Sequence, residues 1–318
     1  SGPAIEALNN VSLSSPVKGV SFWGEANGDQ IGQGLSGGGD FNGDGFNDIV
    51  IGAPNVSCPI AGQSCGRVYV LWGGPSFGQS PINLSSLGSQ GIRFTGEAED
   101  RLGSSVAIVG DTSGNGFDDL FVGARQQAIG STSGQAYLIY GSANPTAFDL
   151  AKINGTNGVR MNSSTPQNIG ADVAAAGDVN GDGYHDLLIS SSQYSTNGCI
   201  YLVYGSPSLG TAGVMSLDSL NGSTGTRFER STPRVELLGG LLLVRGAGDV
   251  DGDGLADFMM SDPYDSEQRG TTFLLYGRST GFGAVFTLDT IQPGEGTVFQ
   301  GTLNSGTGDF SGSLGALG

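Results

Sequence analysis

The stretch "GDFNGDGFNDIVIGAP", Gly39 to Pro54, sets three Asp, two Asn and four Gly ahead of a short apolar run. Met once, it would fit a metal loop, an acidic linker or an active site. It recurs, however: acidic segments begin at Asp40, Asp111, Asp178 and Asp249, spaced 71, 67 and 71 residues apart. Other markers keep the same beat. "GVSFWG", "GIRFTG", "GVRMNS", "GTRFER" and "GTVFQG" begin at Gly19, Gly91, Gly158, Gly225 and Gly296. Between them recur "GRVYVLWGGPS", "GQAYLIYGSAN", "GCIYLVYGSPS" and "GTTFLLYGRST". A fixed period of this length is the mark of one supersecondary unit repeated in tandem.

Each unit holds four short strand candidates bounded by glycine or turn residues. In the second unit they are "GSSVAIVG", "DDLFVGA", "GQAYLIYG" and "GVRMNS". None carries the 3.6-residue apolar period over ten or more positions that a helix needs. The chain has 58 glycines with no G-X-Y period, which excludes collagen and disfavours long helices. The fold expected is therefore all-β: a β-propeller built of four-stranded antiparallel blades. The period is too long for WD40 or kelch blades, and far too long for a β-helix.

The acidic loop reads D-x-[DNS]-G-[DN]-G-x-x-D. Oxygens at positions 1, 3, 5 and 9, with the carbonyl of position 7, are placed to wrap one cation. Hard oxygen ligands without His or Cys select Ca²⁺ over a transition metal. The first site is expected to use Asp40, Asn42, Asp44, the Phe46 carbonyl and Asp48, and the second Asp111, Ser113, Asn115, the Phe117 carbonyl and Asp119. The third would use Asp178, Asn180, Asp182, the Tyr184 carbonyl and Asp186, and the fourth Asp249, Asp251, Asp253, the Leu255 carbonyl and Asp257. Four Ca²⁺ are expected, one per complete repeat. Carboxylate count ranks the second site weakest and the fourth tightest. Asp118, at position 8, is expected to point outward, and the only histidine, His185, to be an exposed loop residue.

These segments resemble the FG-GAP repeat family, the blades of the integrin α-subunit propeller and its relatives. The matching residues are "IGQGLSGGGDFNGDGFNDIVIGAP", "LGSSVAIVGDTSGNGFDDLFVGA", "IGADVAAAGDVNGDGYHDLLISS" and "LGGLLLVRGAGDVDGDGLADFMMSDP". The Gly-Ala-Pro element is intact only at Gly52-Ala53-Pro54, a turn outside the metal loop. The resemblance implies a seven-bladed parent. Residues 1–318 are then a single propeller domain or a fragment of one, with repeat units at about 19–90, 91–157, 158–224, 225–295 and a partial one at 296–318. "FSGSLGALG" aligns with "LGSSVAIVG", so Asp309 precedes the place of a fifth loop and is no ligand.

Charge narrows the partners. Thirteen Lys and Arg against 30 Asp and Glu leave a formal −17, which repels phosphate backbones and anionic lipid. No nucleic-acid partner and no direct membrane insertion are expected, since no apolar run approaches the length that spans a bilayer. Cys58 and Cys65 bracket the loop "CPIAGQSC" and are expected to form a disulfide; Cys199, in an apolar strand, reads as a buried small residue. Six N-x-[ST] sequons begin at Asn10, Asn55, Asn83, Asn154, Asn162 and Asn221, and lend weak support to a secreted or cell-surface location.

Enzyme-like patterns carry little. "GQGLSG" matches a dinucleotide fingerprint without a βαβ unit, and "GLSGG" and "GQSCG" match G-x-S-x-G without a strand-to-helix elbow. The single His, His185, lies in the third acidic loop, which leaves a multi-His zinc centre or a Ser-His-Asp site nearly excluded, so no catalytic residues are assigned and an enzyme is not expected. Tyr69, Tyr137, Tyr201 and Phe273 recur at one blade position and read as core. The face opposite the acidic loops is the expected ligand face, and Asp262, Tyr264, Asp265, Glu267 and Arg269 are its candidate binding residues. The reading is an integrin-like, calcium-binding adhesion module for a protein, matrix or glycan ligand. The alternatives are the scaffold of a secreted carbohydrate-active or phospholipase-type enzyme, and a structural repeat of a large surface protein.

Overall fold

The computed structural model describes residues 20–59, 62–77, 81–125, 134–164, 168–192, 198–231, 243–262 and 270–300. A two-residue strand, β1 (Phe22–Trp23), precedes the first sheet of β2 (Leu35–Gly39), β3 (Asp48–Ala53) and β4 (Arg67–Leu71), then a short β5 (Ile82–Asn83) and the outer β6 (Gly91–Thr95). The second sheet comprises β7 (Leu102–Ile108), β8 (Leu120–Ala124), β9 (Gln135–Ile139) and β10 (Gly158–Asn162). The third comprises β11 (Asn168–Gly177), β12 (Asp186–Ser192), β13 (Cys199–Val203), a short β14 (Val214–Ser216) and β15 (Gly225–Glu229). The fourth comprises β16 (Leu243–Gly248), β17 (Asp257–Asp262), β18 (Thr271–Leu275), a short β19 (Val285–Thr287) and β20 (Gly296–Gln300). Each blade is an antiparallel meander of its four main strands, in chain order from inside to outside. The chain is an all-β propeller.

The middle strands are apolar on both faces because a blade is covered on both sides. In β12 and β13, Leu187, Leu188, Ile189, Tyr201 and Leu202 are all buried. One apolar cluster joins blades one and two, a second joins two and three, and a third joins three and four. Tyr69, Tyr137, Tyr201 and Phe273 are core, at 1%, 0%, 1% and 4% exposure. Adjacent blades approach too closely for side chains in places: a Cβ on Gly52 of β3 would lie 2.0 Å from the carbonyl oxygen of Gly103 on β7. Around the axis, β2, β7, β11 and β16 line a cleft of about 730 Å³. There Asp172 accepts from Ser105 Oγ (2.9 Å) and from Arg245 Nη1 (2.6 Å), tying three inner strands together.

A feature unforeseen in the sequence couples the blades at their rims. The link between the third and fourth strands of each blade runs back to the preceding blade and pairs in parallel with its outermost strand. Thus β14 lies on β10 and β19 on β15, while β5 lies on β1 and Asp149 bridges Thr95. Each strap continues into a 3-10 turn whose first leucine, Leu84, Leu150, Leu217 or Leu288, is buried. The outer strand is thereby spared the open hydrogen-bonding edge that invites association.

Cys58 and Cys65 form a disulfide, and Cys199 is free and buried. Tyr264, Asp265, Glu267, Arg269, Asn10, Asp309 and the partial repeat beyond residue 300 lie outside the described residues.

Candidate metal centres

All four acidic loops join the first strand of a blade to its second, on one face of the propeller, and they share one hydrogen-bond scheme. The first-position aspartate organises the turn. Asp40 Oδ1 accepts from the N–H groups of Gly43 (2.7 Å) and Asp44 (3.1 Å), and its Oδ2 from that of Gly45 (2.8 Å). Asp111, Asp178 and Asp249 repeat the same three bonds. At position 5, Asp44, Asn115, Asp182 and Asp253 accept from the N–H two residues on, a chain of Asx turns.

The ninth-position aspartates Asp48, Asp119, Asp186 and Asp257 are wholly buried, each at 0% exposure. One carboxylate oxygen accepts from the second-position N–H, at 3.0 Å from Phe41, 3.1 Å from Thr112, 2.9 Å from Val179 and 2.7 Å from Val250. The other accepts from Gly73, Gly141, Gly205 or Gly277, just past the third strand, at 2.8–2.9 Å. Each thus ties the loop to two strands. Burial pushes these carboxyls up, to about 6 at Asp48 and Asp119 and about 8 at Asp186, and upward also at Asp257; the backbone bonds oppose the rise, and neighbouring loop aspartates add to it. A buried carboxylate whose ionisation is opposed by burial and by neighbouring loop carboxylates is suited to a cation, which favours its charged form.

Two observations test the fit of a hard cation. In the fourth loop, Asp249, Asp251 and Asp257 each present an oxygen within 4.8 Å of the others; Asp253 stands outside that group. In the second loop, Ser113 Oγ is buried without a hydrogen-bond partner, at the third position where a ligand oxygen is expected. In the first and third loops that position is Asn42 or Asn180, whose Nδ2 donates to Asp44 or Asp182 (3.0 and 2.9 Å). The donors are all oxygen, so the residues present fit Ca²⁺.

The loops are also linked in series, and here the expectation for position 8 is corrected. Asp118 does not point outward: its Oδ2 accepts from the Asp40 N–H at 2.7 Å, docking loop two onto loop one. The Asp118 N–H in turn donates to the Asp40 carbonyl (3.3 Å), so the next loop's eighth residue sits against the previous loop's first position. His185 is exposed as expected, yet its Nδ1 donates to the Val109 carbonyl (3.0 Å) and its N–H to that of Asp111 (3.1 Å). Ala256 N–H repeats the link to Asp178 (2.9 Å). Position 7 also acts through its side chain, which the sequence reading valued only for its carbonyl. Phe117, Tyr184 and Leu255 cover the fourth-position glycines Gly43, Gly114 and Gly181 of the preceding loops; a Cβ there would meet them at 2.4, 2.6 and 2.9 Å. The recurrence of a large residue at position 7 was the available signal.

On the opposite face, Asp262 is buried at 2% exposure against Arg230 (3.5 Å), so it is not offered to a ligand as expected.

This architecture is an all-β propeller with an acidic loop between the first and second strands of each blade, and its similarities are to FG-GAP repeats and integrin-like propellers. The FG-GAP repeat family matches residues 32–71 and 170–211, which include the first and third loops. The chain is 36% identical over 155 residues to mouse phosphatidylinositol-glycan-specific phospholipase D, 48% of this chain and 17% of that protein. It is 30% identical over 193 residues to the human phospholipase D of the same name, 57% of this chain and 21% of that protein. It is 28% identical over 156 residues to integrin alpha-5 of Xenopus laevis, 48% of this chain and 14% of that protein. The similarity spans about a fifth or less of these relatives' lengths.

Proposed function

We propose that the chain is an extracellular, calcium-stabilised propeller that acts as an adhesion or ligand-binding module. The observation that carries the calcium reading is the converged carboxylate group Asp249, Asp251 and Asp257, on a loop scheme repeated in all four blades. The side-chain ligands would come from positions 1, 3 and 9, with position 5 and the position-7 carbonyl completing the set. A bound Ca²⁺ supplies positive charge at the junction of the first two strands. The loop's own residues do the rest: the first aspartate gathers three N–H groups, and the ninth clasps two strands. Resemblance to integrin α-subunits favours a protein, matrix or glycan ligand on the opposite face. The disulfide suits an oxidising compartment, and no helix among the described residues is long and apolar enough to cross a membrane. The formal charge of −17 disfavours nucleic acid. The test is thermal unfolding of the full chain in Ca²⁺ and in EDTA. Chelation should lower Tm by many degrees, and an unchanged Tm would overturn the reading.

The similarity to phosphatidylinositol-glycan-specific phospholipases D favours a second reading, in which such a propeller is the non-catalytic scaffold of a secreted enzyme. In either case the chain itself should show no turnover of a glycosylphosphatidylinositol substrate.

A further inference from the structure

Among the described residues, seven arginines sit against a carboxylate and two, Arg101 and Arg125, do not. In a chain of net charge −17 this pairing of like charges is conspicuous. Arg101 immediately precedes β7 and Arg125 immediately follows β8, and Leu102 pairs with Ala124 between those strands. The two arginines therefore flank one rung, at the end of the blade away from loop 111–119. They line a cleft of about 650 Å³ with Gln30, Gln33 and Ser104, and among the described residues no acidic side chain lines it.

The cleft is built, at some cost. Arg101 has φ +52°, a left-handed conformation disfavoured for a side chain of this size. Its N–H donates to the Ser64 carbonyl (3.4 Å) and that of Leu102 to the Cys65 carbonyl (3.0 Å), so the disulfide loop holds the strained turn. Arg101 Nη2 donates to Asn55 Oδ1 (2.6 Å) and Gln30 Oε1 (3.4 Å), both neutral. Ser104 Oγ donates to the Gly123 carbonyl (3.2 Å) and accepts from the Arg125 N–H (3.3 Å), fixing the base of the second arginine. Burial, and then the charge of Arg125, hold Arg101 below the usual guanidinium range. A guanidinium has five donors, and neutral acceptors leave most of its charge uncompensated.

We propose that Arg101 and Arg125 form a binding site for a single carboxylate, carried by an acidic side chain of a peptide partner. The forked guanidinium matches a carboxylate in two parallel bonds, and the amides of Gln30 and Gln33 suit the peptide groups beside it. A polyanion is disfavoured by the field of the whole chain, whereas one carboxylate feels that repulsion least. The site deepens the reading of this face as the binding face, and rests on it.

The test uses the full chain in Ca²⁺ with ¹⁵N-labelled arginine. Nε–Hε resonances are followed during titration with N-acetyl-aspartyl amide, N-acetyl-asparaginyl amide and glucose 6-sulfate. The aspartyl amide should shift two arginine signals saturably, and the asparaginyl amide should bind at least about tenfold more weakly, as expected for loss of a charge-assisted pair. Arg125→Gln should weaken the aspartyl response by a similar factor, and Lys152→Gln, which removes a charge outside the cleft, should not. Equal response to both amides, insensitivity to Arg125→Gln, or tighter binding of the sulfate would overturn the proposal. Absence of the aspartyl response with calcium-dependent melting intact would overturn the site alone. A chain that binds the aspartyl amide but melts identically in EDTA would overturn the calcium reading and not the site.

Discussion

One position in the blade tells two stories, according to what stands beside it. The fourth residue of the outer-strand segment is Phe94, Met161, Phe228 and Phe299 in turn. The first three are 1%, 0% and 0% exposed, each covered by the following blade, whereas Phe299 is 54% exposed. The second loop position repeats the contrast: Phe41, Thr112 and Val179 are buried, and Val250 is 52% exposed. On the other flank, Leu35 is 65% exposed where Val106, Val173 and Val244 are buried at 6%, 2% and 0%. Phe46, at 45%, lacks the glycine that Phe117 and Tyr184 cover. Thr112 apart, the residues compared are all apolar, on the flanks as between blades. A blade therefore supplies only half of what stabilises it, and its neighbour supplies the other half, as in other repeat architectures.

The largest effect should come from the outer-strand aromatics. Phe228 packs edge-on against Phe258 and Phe282, with ring centroids 5.6 and 5.4 Å apart. Phe228→Ala should cost about 3–5 kcal/mol in denaturant unfolding, and Phe299→Ala less than about 1 kcal/mol. Equal losses would break the comparison.

The second effect concerns the ninth-position carboxyls when Ca²⁺ is withheld. A carboxyl raised in the folded chain holds its proton more tightly there than in the unfolded chain. Its stabilising effect is complete below about pH 4, where unfolded Asp also titrates. It is lost as pH rises through about 6 for Asp48 and Asp119, and through about 8 for Asp186. In EDTA the chain should thus melt several degrees higher at about pH 5 than at about pH 8. Asp186→Asn, between blades, should flatten the upper part of that profile more than Asp257→Asn on the flank. A chelated chain more stable at the higher pH would contradict the assignment.

Next come the loop-to-loop links. Asp118→Ala removes the acceptor of the Asp40 N–H and should cost about 1–2 kcal/mol. Asn47→Ala, the same position in loop 40–48, docked on no other loop among the described residues, should fall within about 0.5 kcal/mol of the parent. The smallest change is expected for Leu35→Ser, within about 1 kcal/mol, against a severe loss for Val244→Ser.

Most of the fold was legible because it is written several times. The acidic loops, the four strands of each blade and the buried Tyr69, Tyr137 and Tyr201 all follow from local chemistry recurring in phase. The straps were not read, although Leu84, Leu150, Leu217 and Leu288 recur on the same beat, because a single leucine in a polar turn resembles any loop residue. The docking of Asp118 onto Asp40 was misread for a different reason. Position 8 is surplus within its own loop, and its partner lies 78 residues away, in another blade. Asp262 was misjudged because pairing with Arg230 across blades hides it. The arginine cleft combines residues from positions 30 to 125, so no short motif announces it.

The straps bear on how such a module carries mechanical load. The β14–β10 strap is a run of three residue pairs in parallel register, Arg160 with Val214 through Asn162 with Ser216. Tension that slides one blade along its neighbour's strands strains all the bonds of that run together, and they fail as a set. Tension that pries two blades apart opens them one after another, like a seam. A pulled propeller of this design should resist sliding and yield to peeling, with the direction of force deciding the rupture force.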